Sequence, residues 1–179
     1  MQIRPENTMK EILEAVPGAL RALFRRYHLG GCASCAFPAE ETLASLCQRH
    51  SLDAAEVVRH LEESQQQDDA MQITPAQLAA LRQAGPVKLV DARSREEFEA
   101  TRIEGALLLS QPVMQEILAH WPRTDLFVIY DHRGQHSLDA AAYFTGQGFT
   151  NVRCLRGGID AWAKESDASM PRYRLEMTS

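Results

Sequence analysis

The sequence predicts an α/β fold, a parallel sheet with helices on both faces, preceded by a small all-α domain of four short helices. Three observations carry that expectation. Apolar residues over 1–63 recur at helical spacing. A polar tract, Ser64-Gln-Gln-Gln-Asp-Asp-Ala70, then interrupts the pattern. From Met71 onward, short apolar runs alternate with helical segments, the order that builds a parallel sheet. The chain therefore divides into a helical domain at 1–63, a linker at 64–70 and an α/β domain at 71–179.

The first helix opens at Thr8-Met-Lys-Glu11, where the threonine hydroxyl caps the first turn and the glutamate reaches back to it. Pro17 suits the first turn of a second helix, in which Leu20, Leu23 and Phe24 recur at helical spacing, and Gly30-Gly31 ends it. Cys32-Ala-Ser-Cys35 thus lies in a turn. Beyond Pro38, Leu43, Leu46 and Cys47 share one helical face, and Ser51-Leu-Asp53 caps a last helix carrying Val57, Val58 and Leu61. After the polar tract, Val87 to Ala92, Ala106 to Leu109, Leu126 to Tyr130 and Asn151 to Leu155 read as buried strands. The segments around Gln77, Glu96, Met114, Leu138 and Ile159 read as helices. Ligands of such sheets bind beyond the carboxyl ends of the strands, which directs attention to the residues after Tyr130.

At 179 residues and 45% hydrophobic content the chain has enough apolar material for one ordinary domain or two small ones. Net charge is -5, with 7 Lys/Arg against 11 Asp/Glu up to Ala70 and 12 against 13 thereafter. Neither part is basic, which argues against nucleic acid or an anionic membrane as partner. No run approaches the roughly 18 apolar residues of a membrane span, and the amino-terminal residues lack a signal-peptide core, so a cytoplasmic location is expected. The four cysteines are then redox, metal-binding or buried thiols rather than a disulfide framework.

The segment Asp131-His-Arg-Gly-Gln-His-Ser137 follows an apolar strand and opens a helix. Successive backbone N–H groups in such a turn form a cradle for an anion, which makes Asp131, His132, Arg133, Gly134, Gln135, His136 and Ser137 a candidate ligand-binding loop. An ordinary strand-to-helix turn, with Gly134 only relieving the backbone, accounts for the same residues. Asp131, His132 and His136 are also residue types that bind metal, but His132 precedes the helix and His136 starts it, so helical register between the two imidazoles does not follow from their spacing.

Leu89-Val-Asp91-Ala-Arg93-Ser-Arg-Glu-Glu97-Phe98, Arg102-Ile103-Glu-Gly105-Ala106 and Leu155-Arg-Gly157-Gly158-Ile-Asp-Ala-Trp162 stand in the order found in rhodaneses. From about Met71 to Tyr173 the chain resembles a single rhodanese domain. In that family the loop reads Cys-x-x-Gly-x-Arg-Ser, and its cysteine takes sulfane sulfur from a donor such as thiosulfate. The resemblance places Asp131 at the cysteine position, matches Gly134 and Ser137, and puts His136 in place of the arginine. A carboxylate cannot carry a persulfide, and at the centre of the cradle it would occupy the N–H groups itself and repel thiosulfate. The resemblance with this exchange implies no ordinary thiosulfate:cyanide sulfurtransferase activity, and no catalytic residue is assigned. Thr101-Arg102 stands where the family usually has Gly-His, and Glu104 where it often has proline. Cys154, between Arg153 and Leu155 in a strand, is expected to be an inert core thiol.

Cys32 and Cys35 precede a helix and follow Arg25 and Arg26, surroundings that favour thiolate. Thr8 to Pro17, Arg26 to Cys35 and Glu41 to Leu46 resemble the short helical domain associated with hybrid cluster proteins, in which a CxxC is proposed to be redox-active. That implies a reversible Cys32–Cys35 dithiol and a protein thiol or sulfur-relay partner. The layout is also similar to the amino-terminal domain of iron–sulfur-cluster repair proteins, although that family has adjacent cysteines. His28, Cys32, Cys35 and Cys47 offer zinc or iron a ligand set as an alternative to redox cycling, and a buried Cys47 is the competing reading. The functional expectation is an accessory protein of sulfur or redox metabolism whose altered loop binds a partner or small anion. The alternative is a sulfurtransferase or thiol oxidoreductase that uses Cys32 and Cys35 as its working sulfur.

Overall fold

A computed structural model describes residues 2–30, 37–134 and 136–171. The chain forms two compact units, Met1–Ala70 and Met71–Ser179.

The first unit contains helices α1 (Met9–Ala15), α2 (Ala19–Tyr27), α3 (Leu43–Arg49) and α4 (Ala54–Met71). Thr8 and Glu11 close a capping box at α1, Thr42 caps α3, and Asp53 accepts from the Glu56 N–H at the start of α4. Met9, Ile12, Leu23, Leu43, Leu46, Cys47, Val57 and Leu61 form its core.

Two expectations for this unit need correction. The helix α2 starts at Ala19, after Gly18, and ends before His28, whose left-handed backbone (φ 56) turns the chain so that Leu29 is buried. It packs with Ala19, Ala22 and Leu23, leaving Leu20 41% and Phe24 48% exposed. The tract at 64–70 is not a loop linker but the last part of α4. Glutamine and alanine are good helix formers, and Asp68 ties this stretch to α2 through a partly buried ion pair with Arg21, a contact that no periodicity of apolar residues announces.

The second unit is a five-stranded parallel sheet in the order β1-β5-β4-β2-β3, with β1 at Gln72–Ile73, β2 at Lys88–Asp91, β3 at Ala106–Leu108, β4 at Phe127–Tyr130 and β5 at Val152–Leu155. Its helices are α5 (Pro75–Ala84), α6 (Arg95–Ala100), α7 (Gln111–His120), α8 (His136–Gly146) and α9 (Gly158–Glu165). The strand β1, with two residues and a single buried side chain, is too short to leave a periodic signal.

Alternation along each strand distributes side chains to two cores. Val128, Tyr130, Leu89 and Leu155 meet Leu78 of α5 and Ile159 and Trp162 of α9 on one face. On the other, Phe127, Ile129, Val90, Val152 and Cys154 meet Ile117 of α7 and Leu138, Ala141 and Phe144 of α8. Phe127 anchors this second face through edge-to-face contacts with Trp121, Phe144 and Phe149, at 5.3, 5.4 and 5.5 Å between ring centroids. No helix among the described residues is long and apolar enough to cross a membrane.

Candidate functional site

The strands β2 and β4 lie side by side, and the chain leaves them in opposite directions, β2 toward β3 and β4 toward β5. Such a reversal opens a crevice beyond the carboxyl ends of the two strands. The segments Asp91–Arg93 and Asp131–Ser137 enter it, held together by the Ala92 N–H donating to the Tyr130 carbonyl at 2.8 Å.

The β2 end is fixed by a buried ion pair. Asp91 accepts from the Arg93 backbone N–H at 3.0 Å and from its guanidinium through Nε at 2.9 Å and Nη2 at 2.6 Å, and Nη2 also donates to the Thr101 carbonyl at 2.7 Å. Because each charge has the other and further hydrogen bonds, burial is tolerated. The Tyr130 hydroxyl accepts from the Ile103 N–H at 3.2 Å, which draws the 101–105 segment to the same point. Burial first, then the charge of Asp91 and a hydrogen bond with it, pushes the Tyr130 phenol well above its ordinary value. The sequence marked Asp91 and Arg93 as part of a motif but gave no sign of the roles of Tyr130 and Thr101. The signal was present in Asp91-x-Arg93, a charged pair two residues apart at the end of an apolar strand.

The β4 end is the loop. Asp131 is 3% exposed, and its carboxylate accepts backbone N–H bonds from Gly134, from His136 at 2.5 Å and from Ser137 at 3.2 Å. These N–H groups at the start of α8 converge on an anion, and the anion present is the chain's own side chain. Gly134 sits at φ +84, where a Cβ would approach the Gly157 nitrogen and the Leu155 carbonyl to 2.9 Å. From the opposite side Gly158, at φ +61, faces the Asp131 and His132 carbonyls so closely that a Cβ would lie 2.6 Å from the His132 carbonyl carbon. The first N–H groups of α9 complete the clamp, Ile159 donating to the Asp131 carbonyl at 2.9 Å and Asp160 to that of His132 at 3.3 Å.

Arg133 and His136 are exposed, His132 is half-buried, and Ser137 is buried; Gln135 lies outside the described residues. The Asp131 carboxylate is turned into its own loop, and among the described residues no three His, Cys, Asp or Glu side chains gather as a metal-binding group. Cys154 is buried beneath the loop, its thiol donating to the Ser137 carbonyl at 3.2 Å.

Of the second candidate set, Cys32 and Cys35 lie outside the described residues. His28 is exposed at the carboxyl end of α2, its ring edge-on to Phe24, while Cys47 is buried in the helical core, where desolvation first and then the Asp53 charge raise its thiol pKa.

Residues 74–165 match the rhodanese-like domain family. The chain belongs to the rhodanese family. It is 34% identical over 90 residues to the thiosulfate sulfurtransferase GlpE of Pseudomonas savastanoi, an alignment covering 50% of this chain and 84% of that one. With the probable adenylyltransferase/sulfurtransferase MoeZ of Mycobacterium tuberculosis it shares 34% identity over 115 residues, 59% of this chain but only 29% of that protein. Among solved structures, the human single-domain sulfurtransferase TSTD1 aligns with a TM-score of 0.46 and 26% identity, covering 54% of this chain and 97% of that one. The rhodanese match falls within the second unit.

Proposed function

We propose that this rhodanese is an accessory protein of sulfur or redox metabolism in which Asp131 holds the place of the sulfur-carrying cysteine. One observation carries the reading: the Asp131 carboxylate fills the loop's N–H cradle. A thiosulfate ion approaching it meets a like charge and donors already in use. The loop accordingly serves recognition, of a small anion able to displace the carboxylate or of a protein partner. The working thiols are Cys32 and Cys35, cycling between dithiol and disulfide in a helical domain at 1–63, in a chain that resides in the cytoplasm.

A second reading keeps the activity named for the relatives. Cys47 and Cys154 are buried, which leaves Cys32 and Cys35 as the candidates for accepting sulfur in a sulfurtransferase or thiol oxidoreductase. One thiolate would attack the outer sulfur of thiosulfate, forming a persulfide as the S–S bond breaks and sulfite leaves.

Thiosulfate:cyanide assays and persulfide trapping on the full chain test both. The first reading expects wild-type turnover at the no-enzyme level, no persulfide on any cysteine, and labelling of the introduced thiol in Asp131→Cys. Persulfide mapped to Cys32 or Cys35 selects the second reading. Turnover that survives replacement of both those cysteines defeats the two together.

A further inference from the structure

Two units with separate cores are ordinarily joined by an exposed, flexible linker. Here none intervenes, because α4 runs to Met71 and β1 begins at Gln72. Any freedom in the connection must therefore come from the end of α4 itself, residues 64–71. That stretch is weakly held. From Ser64 to Ala70 it has no branched aliphatic or aromatic side chain to pack, and Asp68 is its one buried residue.

Asp68 occupies a notch on α2. Its carboxylate pairs with Arg21, the two side chains being 8% and 15% exposed. It also lies at the amino end of α2, where the N-cap, Gly18, has no side chain to offer the first N–H groups of that helix. Gly18 has an ordinary right-handed backbone (φ -78, ψ -5), so no turn demands glycine there. Space demands it: a Cβ would overlap a carboxylate oxygen of Asp68 and come within 2.9 Å of the Arg21 guanidinium. A negative charge at a helix amino end and beside a guanidinium is favourable on both counts.

We infer that residues 64–71 form a latched hinge. With the Asp68 carboxylate in the notch at Gly18 the segment is helix and continues without a break to β1. With the carboxylate out, it is a polar chain of linker composition. A segment held by one contact opens more often than the core of either unit, so the latch sets how often the connection becomes flexible.

Gly18→Ala tests the latch without removing either charge, since alanine fits the backbone and its methyl group displaces the Asp68 carboxylate. In the full chain, amide exchange over 64–71 should quicken about tenfold or more while α1 and α3 stay protected. The heteronuclear NOE of the same residues should fall to that of a mobile chain. Asp68→Asn, which keeps the side chain's size and removes its charge, should do the same, and the double variant should add nothing further. Gly85→Ala, at a glycine whose Cβ would meet no atom within 4 Å, should leave 64–71 as in wild type. Wild-type exchange over 64–71 in either Gly18→Ala or Asp68→Asn overturns the proposal, because helix propensity would then hold the segment. Equal loss of protection in α1 and α3 also overturns it, because the contact would then support the whole helical unit instead of a hinge. None of these outcomes bears on persulfide formation, so the proposal stands or falls apart from the reading of the loop.

Discussion

Asp131 shows how a single side chain can satisfy the converging N–H donors of a strand-to-helix loop. Its carboxylate accepts from the N–H groups of Gly134, His136 and Ser137, and hydrogen bonds to a buried charge are worth about 1.5–3 kcal/mol each before the cost of desolvation. Asp131→Ala should therefore lose about 2 kcal/mol of stability by denaturant titration, and sulfate or thiosulfate should restore part of that loss by entering the vacated cradle. Stabilisation of the wild type to the same degree by sulfate would contradict the self-occupied cradle. Gly158 is the most constrained position beside it. A Cβ there meets the backbone of Asp131 and His132, not a movable side chain, and the positive φ adds strain. Gly158→Ala is expected to cost about 3 kcal/mol in the sheet-containing unit, measured as a shift in its unfolding midpoint.

Among the elements, α4 departs most from its sequence signal. The segment 64–70 reads as a linker because it lacks apolar residues, but it is held as helix by Asp68 reaching Arg21. Asp68→Ala leaves the Arg21 guanidinium partly buried without its counter-charge and should cost about 2–3 kcal/mol. Amide hydrogen exchange should quicken over 64–71 and remain slow in α3. Unaltered exchange there would mean that helix propensity alone holds the segment. The strands β2, β4 and β5 and all five helices of the second unit were legible because buried parallel strands are continuous apolar runs and helix starts carry Thr, Ser and Pro signatures. Within the crevice, Asp91, Gly134 and Gly158 could be read from local patterns. The link from Tyr130 to Ile103 and that from α9 to the Asp131 carbonyl could not, since each joins segments more than twenty residues apart with no side-chain motif to mark it. On α2 the periodicity of Leu20, Leu23 and Phe24 identified a helix but not which stripe is buried, and only Leu23 of the three enters the core.

At the scale of the whole molecule, each unit has its own hydrophobic core, and each is expected to unfold cooperatively on its own account. The Tyr130 phenol provides a way to tell the transitions apart. Its pKa is raised in the folded state, so the fold keeps this proton at a pH where the unfolded chain, with an ordinary value of about 10, releases it. Its contribution is fully present below pH 10 and is lost as pH rises beyond that value. The unit containing the sheet should lose stability steeply above about pH 10, and Tyr130→Phe should flatten that slope at the cost of about 1 kcal/mol near neutrality from its hydrogen bonds. Tyr27, also raised by burial, gives the helical unit its own alkaline dependence, which Tyr130→Phe leaves in place. Denaturant curves at pH 8 and 10.5 that show a single transition, equally affected by both tyrosines, would contradict independent units.

Among the described residues, peptide groups and the glycines at 134 and 158 shape the clamp around the loop, with the Asp131 carboxylate inside it and the Cys154 thiol beneath it. The form of this recess therefore rests on positions 134 and 158, and its chemistry on position 131. The side chain at 131 can be exchanged without rebuilding the recess, so one backbone frame accommodates occupants of different chemistry.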